Sequence, residues 1–141
     1  MSSARSRARR LALQALYEWQ MSGTAVGEIN SRFLASPESN KADRVYFSEL
    51  LLGVVNHLTD LDAQITPVLS RPLDEVDMVE KAVLRLSAYE LQHRLDIPYK
   101  VVINEGVELA KTFGADKGHR FVNGILDKLA VKLRKVETGS A

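Results

Sequence analysis

Apolar residues recur at intervals of three and four almost from end to end of this chain, the spacing that gathers them on one face of an α-helix. In the first such stretch Ala12, Leu16 and Trp19 share a face with Arg5 and Arg9, and Gly23-Thr24 breaks the pattern. Val26, Ile29, Phe33 and Leu34 predict a short second helix that runs out in Ser36-Pro37-Glu38-Ser39-Asn40. A third, from about Ala42, carries Phe47, Leu50, Leu51, Val54 and Leu58 on one face. Thr59 or Asp60 is placed to cap a fourth through Leu61, Ile65, Val68 and Leu69; Pro67 interrupts its pattern and Arg71-Pro72 ends it.

Asp77-Met78-Val79-Glu80 has the form of a capping box and opens a helix over residues 79–95. Two adjoining faces of that helix are apolar: Val79, Ala82, Val83 and Leu86 on one, Leu84, Ala88, Leu91 and Leu95 on the other. So wide a stripe predicts a central helix covered on several sides. Asp96-Ile97-Pro98 stops it, and Pro98 suits the first turn of the next helix, which buries Val102, Gly106, Leu109, Ala110 and Phe113 and ends at Gly114. The last helix, about residues 117–135, turns Val122, Ile125, Leu126, Leu129, Ala130 and Leu133 inward. Gly53, Gly106 and Gly124 lie inside helices, where glycine costs stability, and so predict close helix crossings. No stretch alternates as a strand does. The expected fold is all-α, with about seven helices packed as two helical sub-bundles in one domain. A basic arm covers residues 1–10, the N-terminal sub-bundle about 11–70 and the C-terminal one about 71–135.

Composition narrows the chemistry. The 141 residues include no cysteine, which excludes disulfides and thiolate metal sites. No apolar run is long enough to span a membrane, and the first twenty residues lack the form of a secretory signal, so the cytoplasm is the expected location. The net charge of +1 conceals a sorting of charges. Residues 1–10 hold four bases and no acid. Residues 117–141 hold Lys117, Arg120, Lys128, Lys132, Arg134 and Lys135 against Asp127 and Glu137, while residues 11–116 hold nine bases and sixteen acids. Such a chain can offer a basic surface to nucleic acid and an acidic one to a basic protein. Because an unpaired guanidinium is costly to bury, the arginine-rich end is expected to project past the core and to be dispensable for folding.

His57, His93 and His119 do not have metal-ligand spacing, and the strings that mark zinc peptidases, serine hydrolases and phosphate loops are missing. Asp74, Glu75 and Asp77 read as a helix start favoured by the macrodipole. No catalytic residue, metal or cofactor is expected. The last helix does have an unusual flank: Lys117, Phe121, Gly124 and Lys128 line up beside Arg120, offset from the inner face. An aromatic among bases suits single-stranded RNA, whose unpaired bases stack on rings while cations hold phosphate. An aromatic at helical spacing is equally a core residue, and both readings of Phe121 stay open at this point.

Three segments resemble the NusB family of bacterial transcription antitermination factors. They are residues 8–20 (ARRLALQALYEWQ), Val79–Arg85 with Ala88-Tyr89-Glu90-Leu91, and the run from Ile97 to Ala130. The resemblance covers essentially the whole chain. It implies a seven-helix RNA-binding protein without enzymatic activity, which binds the boxA element of nascent single-stranded RNA. It does so together with NusE, a small-subunit ribosomal protein, in elongation complexes with other Nus factors on ribosomal RNA operons. Position by position, it implies an RNA surface at Arg5, Arg7, Arg9, Arg10 and Gln14 and at Lys117, Arg120 and Phe121, and a NusE face at Tyr17 and Glu80. Tyr17 is expected to flank the buried stripe of its helix, and Glu80 to be solvated in a first turn, so that reversing its charge moves stability little. Two alternatives stand beside this. One is the RNA-binding domain found at the start of some ribosomal RNA cytosine methyltransferases, although the chain has no glycine-rich cofactor loop. The other is a helical scaffold that forms a homodimer.

Overall fold

The computed structural model describes residues 3–139, and its regular structure among them is helical throughout. Compact packing divides the chain between Asn56 and His57.

The first unit contains α1 (Ala4–Ser22), α2 (Val26–Ala35), a 3-10 turn (Pro37–Lys41) and α3 (Arg44–Asn56). Ser3 caps α1 by accepting a hydrogen bond from the Ser6 N–H at 3.0 Å. Gly23 ends the helix in the left-handed conformation at φ 70°, as the sequence break predicts. Helix α1 packs against α3, and α2 lies against both. Ile29, Phe47, Leu50, Leu51 and Val54 are buried, and Phe33 stacks on Phe47 with ring centroids 5.8 Å apart. The start of α1 is tied to the start of α3 where the Asp43 N–H donates to the Ala4 carbonyl at 2.9 Å. The Asp43 carboxylate accepts from the Tyr46 N–H at 3.0 Å, so α3 begins at Arg44, slightly later than its apolar pattern suggests.

The second unit contains α4 (Leu58–Ile65), 3-10 turns at Thr66–Val68 and Leu73–Glu75, and then α5 (Met78–His93), α6 (Tyr99–Phe113), α7 (Gly118–Leu133) and α8 (Lys135–Thr138). Leu58 opens α4, and neither Thr59 nor Asp60 caps it. Pro67 lies in the 3-10 turn that takes over after Ile65, because its ring cannot continue the α-helical hydrogen bonding. Helix α5 is central: it packs on α4, α6 and α7, and every residue from Glu80 to Leu91 is buried. The Asp77 carboxylate caps it, accepting from the Val79 and Glu80 N–H groups at 3.0 and 3.1 Å. Leu95 lies beyond the helix end and is exposed, so it does not extend the inner face.

Gly106 meets its expected role. A Cβ there would lie 2.8 Å from both Leu126 Cδ1 and Ser87 Oγ, so α6 closes on α5 and α7 only because the side chain is missing. Gly124 does not, since nothing stands within 4 Å of the Cβ position there. No helix among the described residues is long and apolar enough to cross a membrane.

Candidate nucleic-acid interface

The four arginines of residues 1–10 are not a free arm. They occupy the first two turns of α1, whose first turn has no acid. The helix dipole adds partial positive charge at that end, which makes cations there locally unfavourable and an external anion favourable. Arg5 lies over the Tyr46 ring with its guanidinium carbon 4.4 Å from the centroid, and Arg9 approaches the same ring at 5.6 Å. Arg9 is only 3% exposed. The expectation that the whole arginine-rich end stands clear of the core is therefore corrected. Tyr46, itself buried, offers a π face on which a desolvated guanidinium is tolerated. Ala8 is buried as well, so residues 4–10 are packed into the fold.

Arg7 donates to the Lys41 carbonyl at 3.4 Å, and Arg7 and Arg10 are half-buried. Gln14 is exposed and donates to the Arg10 carbonyl at 3.2 Å. Tyr17 is 38% exposed beside the buried Leu13 and Leu16, the flanking position its helical phase predicts.

In the second unit, Lys117 stands before α7 at φ 65°, the one positive φ of a non-glycine among the described residues. That conformation carries a cost of roughly 1–2 kcal/mol for a residue with a Cβ. Gly118 follows it, buried, and a Cβ there would lie 2.5 Å from Glu80 Oε2. The turn thus presses onto the Glu80 carboxylate and leaves Lys117 and Arg120 exposed. Phe121 is half-buried, neither a core residue nor a bare platform, and the guanidinium carbon of Arg71 sits 4.9 Å over its ring. Gly124 and Lys128 continue the exposed strip.

Glu80 departs from expectation. It is 6% exposed, and burial, followed by the nearby charge of Asp77, raises its carboxyl above the ordinary carboxylate range, with Arg71 opposing. A solvated helix start does not describe it, so its charge reversal is not the mild change that the first-turn position suggests.

Arg134 departs too. It counts toward the basic C-terminal segment in the sequence, yet it is 5% exposed. Its guanidinium donates to the carbonyls of Leu91, Glu90 and Arg94 at 2.7, 3.2 and 2.9 Å, closing the C-terminal turn of α5, and also binds Glu137. Glu137 accepts from the Tyr99 N–H at 2.8 Å at the start of α6, which holds its carboxyl below the ordinary range.

Arg71 and Tyr46 are absent from the set picked out by sequence. Arg71-Pro72 carries only the signal of a helix stop, and Tyr46 that of a core residue. The structure also brings His57 and His93 together, with ring centroids 4.4 Å apart and Tyr89 stacked on His93 at 4.9 Å. No group of three metal-ligating side chains is found among the described residues.

Residues 6–131 match the NusB family. The chain is 56% identical over 135 residues to the transcription antitermination protein NusB of Alcanivorax borkumensis, covering 96% of this chain and 90% of that protein. The namesake from Shewanella piezotolerans is 55% identical over 132 residues, covering 94% of this chain and 98% of its own length. Among solved structures, NusB of T. maritima superposes with a TM-score of 0.83 at 30% identity, covering 92% of each chain. A second, from a complex of the antitermination factors NusB and NusE with double-stranded RNA, gives 0.77 at 28% identity, covering 92% of this chain and 97% of that one. With an all-α fold, an arginine-rich first helix and a basic turn leading into its seventh, the chain belongs to the NusB family.

Proposed function

We propose that this protein is a transcription antitermination factor that acts by binding and not by catalysis. It recognises boxA RNA together with NusE, within elongation complexes on ribosomal RNA operons, and its place of action is the cytoplasm where transcripts are made. The observation that carries this reading is the likeness, over 92% of this chain, to the structure solved as a NusB–NusE–RNA complex. The chemistry of the two basic regions supports it. Arg5, Arg7, Arg10 and Gln14 offer donors at a helix start that favours an anion, and Lys117, Arg120 and Phe121 set an aromatic among exposed cations. Arg9 shares in the first region by holding its geometry against Tyr46. For NusE, a basic ribosomal protein, Tyr17 supplies an exposed amphipathic ring, and Glu80, buried at the start of α5, acts through the turn at Gly118 that is seated on it.

The relative's RNA is double-stranded whereas this reading takes a single strand, so the test compares both. Affinity of the full chain is measured for single-stranded boxA RNA, its duplex and a scrambled strand, with and without NusE, across a salt series. Tighter binding of the single boxA strand is expected, strengthened by NusE, with a slope of log affinity against log salt of about −3 for four neutralised phosphates. Equal affinity for all three RNAs, or indifference to NusE, defeats the reading.

A further inference from the structure

Arginines of the second unit are mostly engaged through their N–H groups. Arg85 grips Asp62 with two bonds of 2.9 Å, Arg94 grips Asp96 with two of 3.0 Å, and Arg134 binds three carbonyls and a carboxylate. Arg71 is different. Its guanidinium lies over the Phe121 ring, it is exposed, its charge acts on the buried Glu80 carboxylate, and among the described residues it makes no hydrogen bond or ion pair. Pro72 follows it at φ −59°, and the residue before a proline is restricted to extended backbone, which limits the directions in which the Arg71 side chain can start. A guanidinium over a ring keeps N–H groups free of the ring for another partner, and its fork matches the oxygens of a phosphate.

The ring beneath is in turn fixed. Phe121 sits one turn into α7, whose start is seated on the Glu80 carboxylate at Gly118. Lys117 and Arg120, both exposed, flank it on the same turn.

We propose that Arg71 is a phosphate-binding residue of the RNA surface and that Phe121 acts there as a positioning residue, serving as the platform that orients the Arg71 fork. The proposal rests on the RNA-binding reading given above. It assigns Phe121 a role other than stacking on an unpaired base, because Arg71 already covers a face of the ring. A lysine at position 71 keeps the charge but has neither the plane nor the fork.

The experiment measures boxA RNA affinity and its salt dependence for the wild-type full chain, Arg71→Ala, Arg71→Lys, Phe121→Leu and the double variant Arg71→Ala/Phe121→Leu. Thermal unfolding of each variant confirms that it is folded. Arg71→Ala is expected to weaken binding roughly tenfold and to flatten the salt slope by about 0.7, the share of one phosphate on a single strand. Arg71→Lys should restore the slope and only part of the affinity. Phe121→Leu should weaken the wild type but add little in the Arg71→Ala background, since its effect passes through Arg71. Wild-type affinity in Arg71→Ala, full recovery in Arg71→Lys, or additive losses in the double variant each overturn the proposal. Failure of the wild-type chain to bind the RNA strikes the function above instead.

Discussion

Each unit of this protein buries an arginine, and each solves the problem differently. In the first, Arg9 lies against the face of Tyr46, with Arg5 over the same ring. In the second, Arg134 is satisfied by the Leu91, Glu90 and Arg94 carbonyls and by Glu137. The π face makes no directional demand on N–H groups, whereas the carbonyl set uses them in specific directions and gives the Leu91 carbonyl a donor at the end of α5. The difference teaches that a segment's formal charge is a poor guide to its surface charge. Of the bases counted at the two ends of the chain, Arg9 and Arg134 belong to the packing. Those left to meet an anion are the half-buried Arg5, Arg7 and Arg10 and the exposed Lys117, Arg120, Lys128, Lys132 and Lys135.

The largest effect that would sharpen this contrast belongs to Arg134. Replacing it by methionine, similar in bulk but without donors, removes the side-chain donor of the Leu91 carbonyl and the second donors of the Glu90 and Arg94 carbonyls, which keep the Arg94 and Ile97 N–H groups, and is expected to cost about 2–3 kcal/mol by chemical denaturation. RNA affinity of the folded variant should match wild type. A loss in RNA binding with unchanged stability would put Arg134 on the surface after all.

Arg9→Ala comes next, at about 1–2 kcal/mol, because an aromatic contact and a packed aliphatic stem are lost. Equal costs for Arg9→Ala and Arg134→Met would break the comparison. Arg10→Ala is the partner control, with RNA affinity reduced and stability nearly unchanged.

The smallest effects are in the pH dependence, and the two carboxylates of the second unit pull in opposite directions. Glu137 has its folded pKa lowered by the Tyr99 N–H and Arg134, so its contribution is present above the unfolded pKa and is lost as pH falls through the folded value. Glu80 has its folded pKa raised by burial and Asp77, so stability is lost as pH climbs from the unfolded pKa through the folded one. Melting temperature against pH should therefore fall less steeply toward acid in Glu137→Gln. In Glu80→Gln it should no longer decline as pH rises across the upper carboxylate range. A Glu80→Gln variant that melts lower than wild type at neutral pH would show that the ionised form is the stabilising one.

Much of the fold was legible because its stops are local chemistry. Gly23, Asp77, Pro98 and Gly114 each bound a helix at or within a residue of the position their own side chains or lack of them dictate. The breadth of the apolar stripe on α5 correctly marked it as central. What stayed hidden depends on partners far along the chain. Arg134 reads as one more base until the end of α5 is folded beside it, and Arg71 as a helix stop until Phe121 comes under it. Gly106 and Gly124 look alike in sequence, and only the neighbours of their missing side chains tell a crossing from an open face. Periodicity identifies which face is buried, while the group that a buried charge finds there is a property of tertiary structure.

The bonds of Arg134 and Glu137 also order events in time. A ribosome makes α5 and α6 before it makes the two residues that bind the end of one and the start of the other. Until Arg134 emerges, the Leu91 carbonyl has water as its partner, and the corner between α5 and α6 lacks its side-chain clasp. Synthesis therefore makes α5 and α6 before the residues that clasp their ends, a vectorial order written into the position of one clasp.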